Sequence, residues 1–327
     1  MIRQQFDDDY AALTDPKHIK KVWDSIEAGY AKYLKLMLSQ DKLGLDKLAS
    51  LGSIKKSAKT TSPDQTNLMA DFKKAIEKFQ GNSDSYCSFF DHESMEEFAS
   101  SPGQFKPALN KGCPVIRHTL RSQAHELLDW HKKYNITKPR ALLDMFTNLV
   151  DFHSDYTKTT KPAAFSKLDK PDAFKFEPIE DDEECRINGV IGMGIKSTVL
   201  YHLTPIFFPN RDRHSLLGFY ILSDFDHFGL PTESSEFVMY DPEKKLKDGT
   251  TYGSHNYWYP YALFTLYSLR LYRVLKESLS KLKIELDDHY RFVYTQTFLH
   301  QVCDLEEEKI KAFVAHDVLY RFTNEDP

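Results

Sequence analysis

Apolar residues recur at three- and four-residue steps along much of this chain, which is the spacing of one face of an α-helix. The pattern is clearest over residues 18–45, 115–134 and 257–282. Residues 236–240, with the sequence EFVMY, are instead typical of a strand. We therefore predict a mainly α, multi-helix protein with one small β element near residues 219–252.

The composition narrows the class of protein further. A chain of 327 residues can form one large domain or two of ordinary size. Its 41% of apolar residues can supply a hydrophobic core, which argues against a wholly disordered chain. The net charge of −5 argues against a protein that coats nucleic acid by bulk attraction, but it leaves room for a local basic patch.

The spacing of the cysteines and the length of the apolar segments indicate whether the chain could bind a metal or span a membrane. Cys87, Cys113, Cys185 and Cys303 are far apart, and none belongs to a Cys-x-x-Cys pair or a cluster with zinc spacing. We expect reduced thiols in a cytoplasmic protein, with no metal and no cofactor. No apolar signal core begins the sequence, and no run of about 18 apolar residues could span a membrane.

Changes in composition suggest how the chain is divided. Residues 1–160 are predicted to form an N-terminal helical lobe with a basic loop near residues 51–67. Residues 161–184 carry three prolines and end in an acidic run, which is typical of a junction. Residues 185–327 are predicted to form a helical C-terminal domain.

A glycine-rich turn is the segment most informative about function. Gly189, Gly192 and Gly194 fall within six residues, and Lys196, two hydroxyl residues and an apolar run follow. A Gly-x-Gly turn that opens a helix leaves backbone N–H groups without partners inside the helix. Those groups and the helix dipole favour a bound phosphate. The segment therefore predicts a phosphate-binding turn.

Two common nucleotide motifs do not fit this turn. A nucleotide P-loop requires lysine directly after the last glycine, whereas Ile195 stands between Gly194 and Lys196. A dinucleotide fingerprint requires a further glycine and a βαβ unit, and the sequence indicates neither. Neither motif therefore accounts for the glycine-rich turn.

Residues 190–200 resemble the hairpin of helix-hairpin-helix DNA-binding proteins, in which an apolar-Gly-x-Gly turn precedes a helix that begins with lysine and small or hydroxyl residues. The resemblance implies contact with double-stranded DNA through its phosphates, independent of base sequence. The residues expected at the DNA are Gly192, Gly194, Ser197 and Thr198.

Within that family the segment is most similar to base-excision DNA glycosylases. The resemblance implies that Lys196 is a nucleophile that forms a Schiff base and that Asp212 is the carboxylate beside the sugar. It includes Pro209, Asp212 and His214 of an apolar-Pro-x-Asp-x-His segment, with one additional residue between proline and aspartate. The neighbouring Arg211 and Arg213 are expected to contact DNA phosphates or to lower the pKa of Lys196.

Other residues complete the hypothesis. Tyr257 and Trp258, in an aromatic cluster before a predicted helix, are candidates for the walls of a base pocket. Asp224 is a second candidate for a catalytic carboxylate. Two alternatives stay open at this point. The chain could be a non-catalytic DNA-binding or regulatory protein, or a helical protein-interaction module whose glycines only permit close packing.

Overall fold

Helices account for most of the chain in the computed structural model, which confirms the mainly α prediction. None of the helices in the described part of the chain is both long and apolar enough to cross a membrane. The predicted basic loop near residues 51–67 lies outside the described residues. The structure describes residues 9–40, 68–124, 127–180, 183–226, 228–230, 236–245, 251–256 and 258–313.

The first half of the chain folds into the helices that we number α1 to α7. Their bounds are α1 Pro16–Gln40, α2 Leu68–Phe89, α3 His92–Ser100, α4 Pro102–Gly112, α5 Pro114–Arg121, α6 Leu128–Ile136 and α7 Pro139–Thr159. Proline occupies the first helical position of α4, α5 and α7, where its missing N–H would have had no partner within the helix.

Shorter helices and one hairpin precede the two long helices of the second half. The elements are α8 Pro162–Phe165, α9 Glu177–Glu180, α10 Met193–Leu203, α11 Arg213–Leu222, β1 Val238–Lys245, β2 Thr251–His255, α12 Tyr261–Lys281, α13 Arg291–Leu305 and α14 Glu307–Phe313. Among the described residues, 3₁₀ helices also lie at Pro171–Phe174, Glu183–Cys185 and Asp288–Tyr290.

The predicted β element is a two-stranded antiparallel hairpin that lies later in the chain than expected. Strands β1 and β2 pair from Val238 opposite His255 to Lys245 opposite Thr251. Residues 219–222, which the prediction included, belong to α11 instead. Every residue from Ser215 to Leu222 is buried. An apolar run with no polar face lacks the periodicity that distinguishes a helix from a strand.

The single helix predicted over residues 115–134 is wrong, because α5 and α6 are separate helices. The break begins at Ser122, whose backbone is extended with ψ 134°. The two helices have different neighbours: α5 buries Ile116, whereas Trp130 of α6 donates a hydrogen bond to the carbonyl of Val190. Tertiary contacts of this kind override a helical pattern in the sequence.

The hydrophobic core continues across the boundaries predicted from composition. Buried apolar residues form one cluster that extends from Leu13 to Ile310. Helix α2, from the first half, packs on α13, and the rings of Phe72 and Tyr294 lie 5.1 Å apart. Helix α12 is buried all round from Tyr261 to Leu269. The division into residues 1–160, 161–184 and 185–327 concerns independent folding and stays a prediction.

Candidate functional site

The glycine-rich segment forms a tight turn that leads into α10. Gly189 has φ +70°, a left-handed backbone conformation that favours glycine. A hydrogen bond closes the turn around Gly189, in which the Ile191 N–H donates to the carbonyl of Ile187 at 2.9 Å. The side chain of Lys133, from α6, lies against Gly189, so that a Cβ there would meet Lys133 Nζ at 2.8 Å. The backbone before α10 is therefore fixed by both its conformation and its neighbours.

The start of α10 is open to solvent. Gly192 is its N-cap residue and makes no side-chain capping bond. Gly192 and Gly194 are exposed, and no atom lies within 4 Å of a Cβ built on either. The first backbone N–H groups of a helix have no partners within the helix. Immediately before the turn, the described residues form the short α9 and the 3₁₀ helix Glu183–Cys185.

Ser197 and Thr198 connect this helix start to the segment before α11. The Ser197 hydroxyl accepts a hydrogen bond from the Arg211 backbone N–H at 3.1 Å. The Thr198 hydroxyl lies 2.9 Å from Asn210 Oδ1, and both hydroxyls also donate to the carbonyl of Gly194. These contacts bring the glycine turn close to Asp212, which follows Arg211 in the chain.

Lys196 points into the protein. The residue is 2% exposed, and its Nζ donates a hydrogen bond to the carbonyl of Ile179. Burial is the main cause that lowers the pKa of Lys196 to about 8, with the charges of Cys185 and Glu180 opposing it and the guanidinium of Arg211 adding to it. A lowered pKa suits a nucleophile, but this ammonium group faces the backbone next to α9 rather than solvent.

The two arginines beside Asp212 differ in exposure. Arg211 is 4% exposed, and its Nη1 donates to the carbonyls of Asn256 and Tyr259 at 3.2 and 3.0 Å. Burial lowers its pKa to about 10. Arg213, the first residue of α11, is partly exposed. Arg211 thus links the segment before α11 to the loop that carries Trp258, while Arg213 lies at the surface.

Asp212 caps the N-terminus of α11. Its Oδ1 accepts a hydrogen bond from the backbone N–H of Ser215 at 2.7 Å. Its Oδ2 accepts from Gln296 Nε2 at 2.5 Å and from His300 Nε2 at 2.9 Å, so α13 contributes two further partners. The side chains of Asp212 and His300 are 25% and 38% exposed. This is an accessible carboxylate held in place from three sides.

The electrostatics of this group favour an ionised carboxylate. Burial alone would raise the pKa of Asp212, but the charge and hydrogen bond of His300, with His214 nearby, hold it well below its usual range. Burial lowers the pKa of His300, and the charge and hydrogen bond of Asp212 outweigh this and raise it overall. The two side chains therefore form an ion pair when the imidazole is protonated.

The other sequence candidates lie at different places. Asp224 follows the opposite end of α11, about 15 Å of helix from Asp212. It is exposed and has φ +57°. Trp258 is 47% exposed in the loop that Arg211 contacts. Tyr257 lies outside the described residues. The structure thus brings the glycine turn, Asp212 and the Trp258 loop together, and separates them from Asp224.

Sequence reasoning missed Gln296 and His300. They lie four residues apart on α13 and so share one face of that helix. The i, i+4 spacing of a polar pair was the only signal in the sequence, and a spacing alone does not identify the helix end that it faces.

Comparisons with protein-family models, with curated proteins and with solved structures find no match for this chain.

Proposed function

We propose that this protein is a DNA glycosylase that hydrolyses the N-glycosidic bond of a modified or damaged base in double-stranded DNA. The observation that carries the proposal is the position of Asp212. This partly exposed, ionised carboxylate caps α11 next to a segment that is hydrogen-bonded to the open glycine turn. In this proposal the turn binds the DNA backbone and Asp212 faces the sugar.

The exposed start of α10 supports the phosphate part of the proposal. Gly192 and Gly194 leave room for a phosphate to approach the backbone closely. Arg213 adds a partly exposed positive charge beside Asp212. Ser197, Thr198 and Arg211 bond to protein groups, so their role in the proposal is to hold the turn and Asp212 in a fixed relation rather than to contact DNA.

The chemistry requires a negative charge near C1′ of the sugar. As the C1′–N bond breaks, positive charge develops on the sugar ring, and a fixed carboxylate stabilises that charge. Water then adds to C1′, and the base leaves with a proton. The low pKa of Asp212 keeps its carboxylate ionised across the neutral range. Trp258, exposed in the neighbouring loop, is the candidate wall for a flipped base.

The burial of Lys196 favours attack by water over attack by lysine. A Schiff base would require Nζ to leave the carbonyl of Ile179 and reach the surface. We therefore assign Lys196 a structural role beneath the turn. Borohydride should then trap no covalent complex between the protein and DNA, even where abasic sites form.

A panel of duplexes tests the proposal. DNA containing uracil, hypoxanthine, 8-oxoguanine, 1,N⁶-ethenoadenine or alkylated purines is incubated with the protein, and abasic sites are revealed by alkali cleavage. We expect release of at least one base, and a fall of about 100-fold or more in its rate in Asp212→Asn. Asparagine caps a helix as well as aspartate does, so the fold should be preserved.

Asp91→Asn is the matched control, because Asp91 is also an N-cap residue that accepts a hydrogen bond from the third residue beyond it. It caps α3 and should leave base release unchanged. Base release that persists in Asp212→Asn would contradict the role of Asp212. Salt-sensitive binding of duplex DNA with no base release would support the non-catalytic alternative instead.

A further inference from the structure

His300 is an ionisable side chain within hydrogen-bond distance of Asp212, and the glycosylase resemblance does not account for it. It lies on α13, and its Nε2 donates to Asp212 Oδ2 at 2.9 Å with Oδ1 at 3.1 Å. We propose that His300 is the general acid that protonates the leaving base. This assignment rests on the proposed glycosylase function and adds a second catalytic group to it.

The geometry leaves one nitrogen of His300 available. Its Nε2 is engaged by Asp212, whereas its Nδ1 makes no hydrogen bond to any residue that the structure describes. With 38% of the side chain exposed, a ligand at Asp212 can reach the ring. A carboxylate that fixes one ring nitrogen orients the other toward the reacting group, as in other carboxylate–histidine pairs.

The proton balance follows from this arrangement. In the starting state, His300 is an imidazolium and Asp212 a carboxylate, so their charges compensate. As the C1′–N bond breaks, Nδ1 gives its proton to the departing base, and the neutral imidazole leaves Asp212 as an uncompensated anion beside the cationic sugar. Water forms the new C1′–O bond and releases its proton to the solvent, and the partly exposed Nδ1 takes up a proton from the solvent to restore the imidazolium. The net reaction is hydrolysis of the glycosidic bond.

The groups around His300 determine its charge. Asp212 and His214 face it from the start of α11, Lys78 from α2 and Asp304 from its own helix. Burial and Lys78 lower the pKa of His300, while the two carboxylates raise it, and the net effect is a raised pKa. The imidazolium therefore persists to higher pH than that of an ordinary histidine, and its loss as the pH rises further should remove the acid.

Two measurements test the role of His300. In His300→Gln, the amide nitrogen can still donate to Asp212, but the side chain can no longer transfer a proton. We expect the rate of base release to fall by about 100-fold or more, the range lost with a general acid. We also expect the wild-type kcat to fall as pH rises above the raised pKa of His300, and His300→Gln to lack that fall.

The controls separate this proposal from the function on which it rests. His289→Gln, at an exposed histidine of the 3₁₀ helix before α13, should retain wild-type rates. Base release by His300→Gln at the wild-type rate and pH dependence would reduce His300 to a positioning residue and overturn the proposal. Absence of base release by the wild-type protein would overturn the proposed function and the role of His300 together. If His300→Gln fails to fold, the pH–rate profile of the wild type still tests the proposal. A wild-type kcat that does not fall as pH rises above the pKa of His300 would overturn it.

Discussion

Burial separates the two charged side chains that the sequence proposed for catalysis. Lys196 is almost fully enclosed and bonded to a backbone carbonyl, while a quarter of the Asp212 side chain is accessible. An enclosed cation is stabilised poorly and tends to lose its charge, whereas a carboxylate with three hydrogen-bond donors retains it. At the residue scale, we therefore assign the proposed chemistry to Asp212 rather than to Lys196.

The lowered pKa of Lys196 makes a prediction about stability. Between pH 8 and its ordinary value of 10.5, the folded protein loses this proton while the unfolded chain keeps it. The wild-type contribution of Lys196 to stability therefore improves as pH rises through that window. In Lys196→Met no such change occurs, so the stability of this variant relative to wild type should decrease by about 3 kcal/mol at most from pH 7 to pH 10.

Urea unfolding of both proteins at the two pH values measures this difference. Lys35→Met, at an exposed position of α1, corrects for the general effect of losing a positive charge. A Lys196→Met difference that stays constant with pH would mean that the lysine is solvated and free to reach a substrate.

Sequence reasoning reached part of the site at this scale. Gly192, Gly194 and Asp212 are close in the chain, so the sequence identified the glycine turn and Asp212 as candidates, although not the position of Asp212 as an N-cap residue. The contacts of Gln296 and His300 join positions more than 80 residues apart. No local pattern in the sequence specifies which face of α13 contacts the start of α11, because this contact depends on how the two helices pack.

At the element scale, the close approach of α1 to the end of α11 depends on a glycine. A Cβ at Gly29 would lie 2.0 Å from the backbone oxygen of Leu222, which cannot move without displacing the helix. Gly29→Ala should therefore destabilise the protein by about 3 kcal/mol or more. Gly81, in α2, has no atom within 4 Å of its Cβ position, and Gly81→Ala should instead stabilise by about 0.5–1 kcal/mol.

Denaturant unfolding of the two variants tests this packing directly. The same chemical change in two helices gives opposite signs only if α1 lies against α11 as described. Equal effects of Gly29→Ala and Gly81→Ala would contradict that contact.

Helical periodicity predicted the elements well where one face of a helix is buried and less well elsewhere. It placed α1 near its observed position, because that helix presents an apolar face to the core. It joined α5 and α6 into one helix, since apolar residues recur at helical spacing on both sides of Ser122 and the break there depends on contacts outside the segment. Periodicity also could not identify α11 as a helix, because the segment is buried on every side and has no polar face.

On the scale of the whole molecule, charge limits how this protein can bind DNA. A chain with net charge −5 repels DNA at a distance, so the proposed binding requires a local surface such as the open turn of α10 with Arg213. A negative charge at Asp212 also repels the phosphates. Such a group is useful to a DNA-binding protein only if positive charge develops near it during the reaction.

The most direct test of the central claim compares two duplexes that lack one base. One carries a neutral tetrahydrofuran at the abasic position, and the other carries a pyrrolidine whose ring nitrogen is positively charged, as the reacting sugar is. If Asp212 stabilises a cationic sugar, the wild-type protein should bind the pyrrolidine duplex about 10-fold or more tightly, and the preference should increase as His300 loses its proton. Asp212→Asn should bind the two duplexes equally. Equal binding by the wild-type protein at every pH, or a preference that survives in Asp212→Asn, would contradict the account.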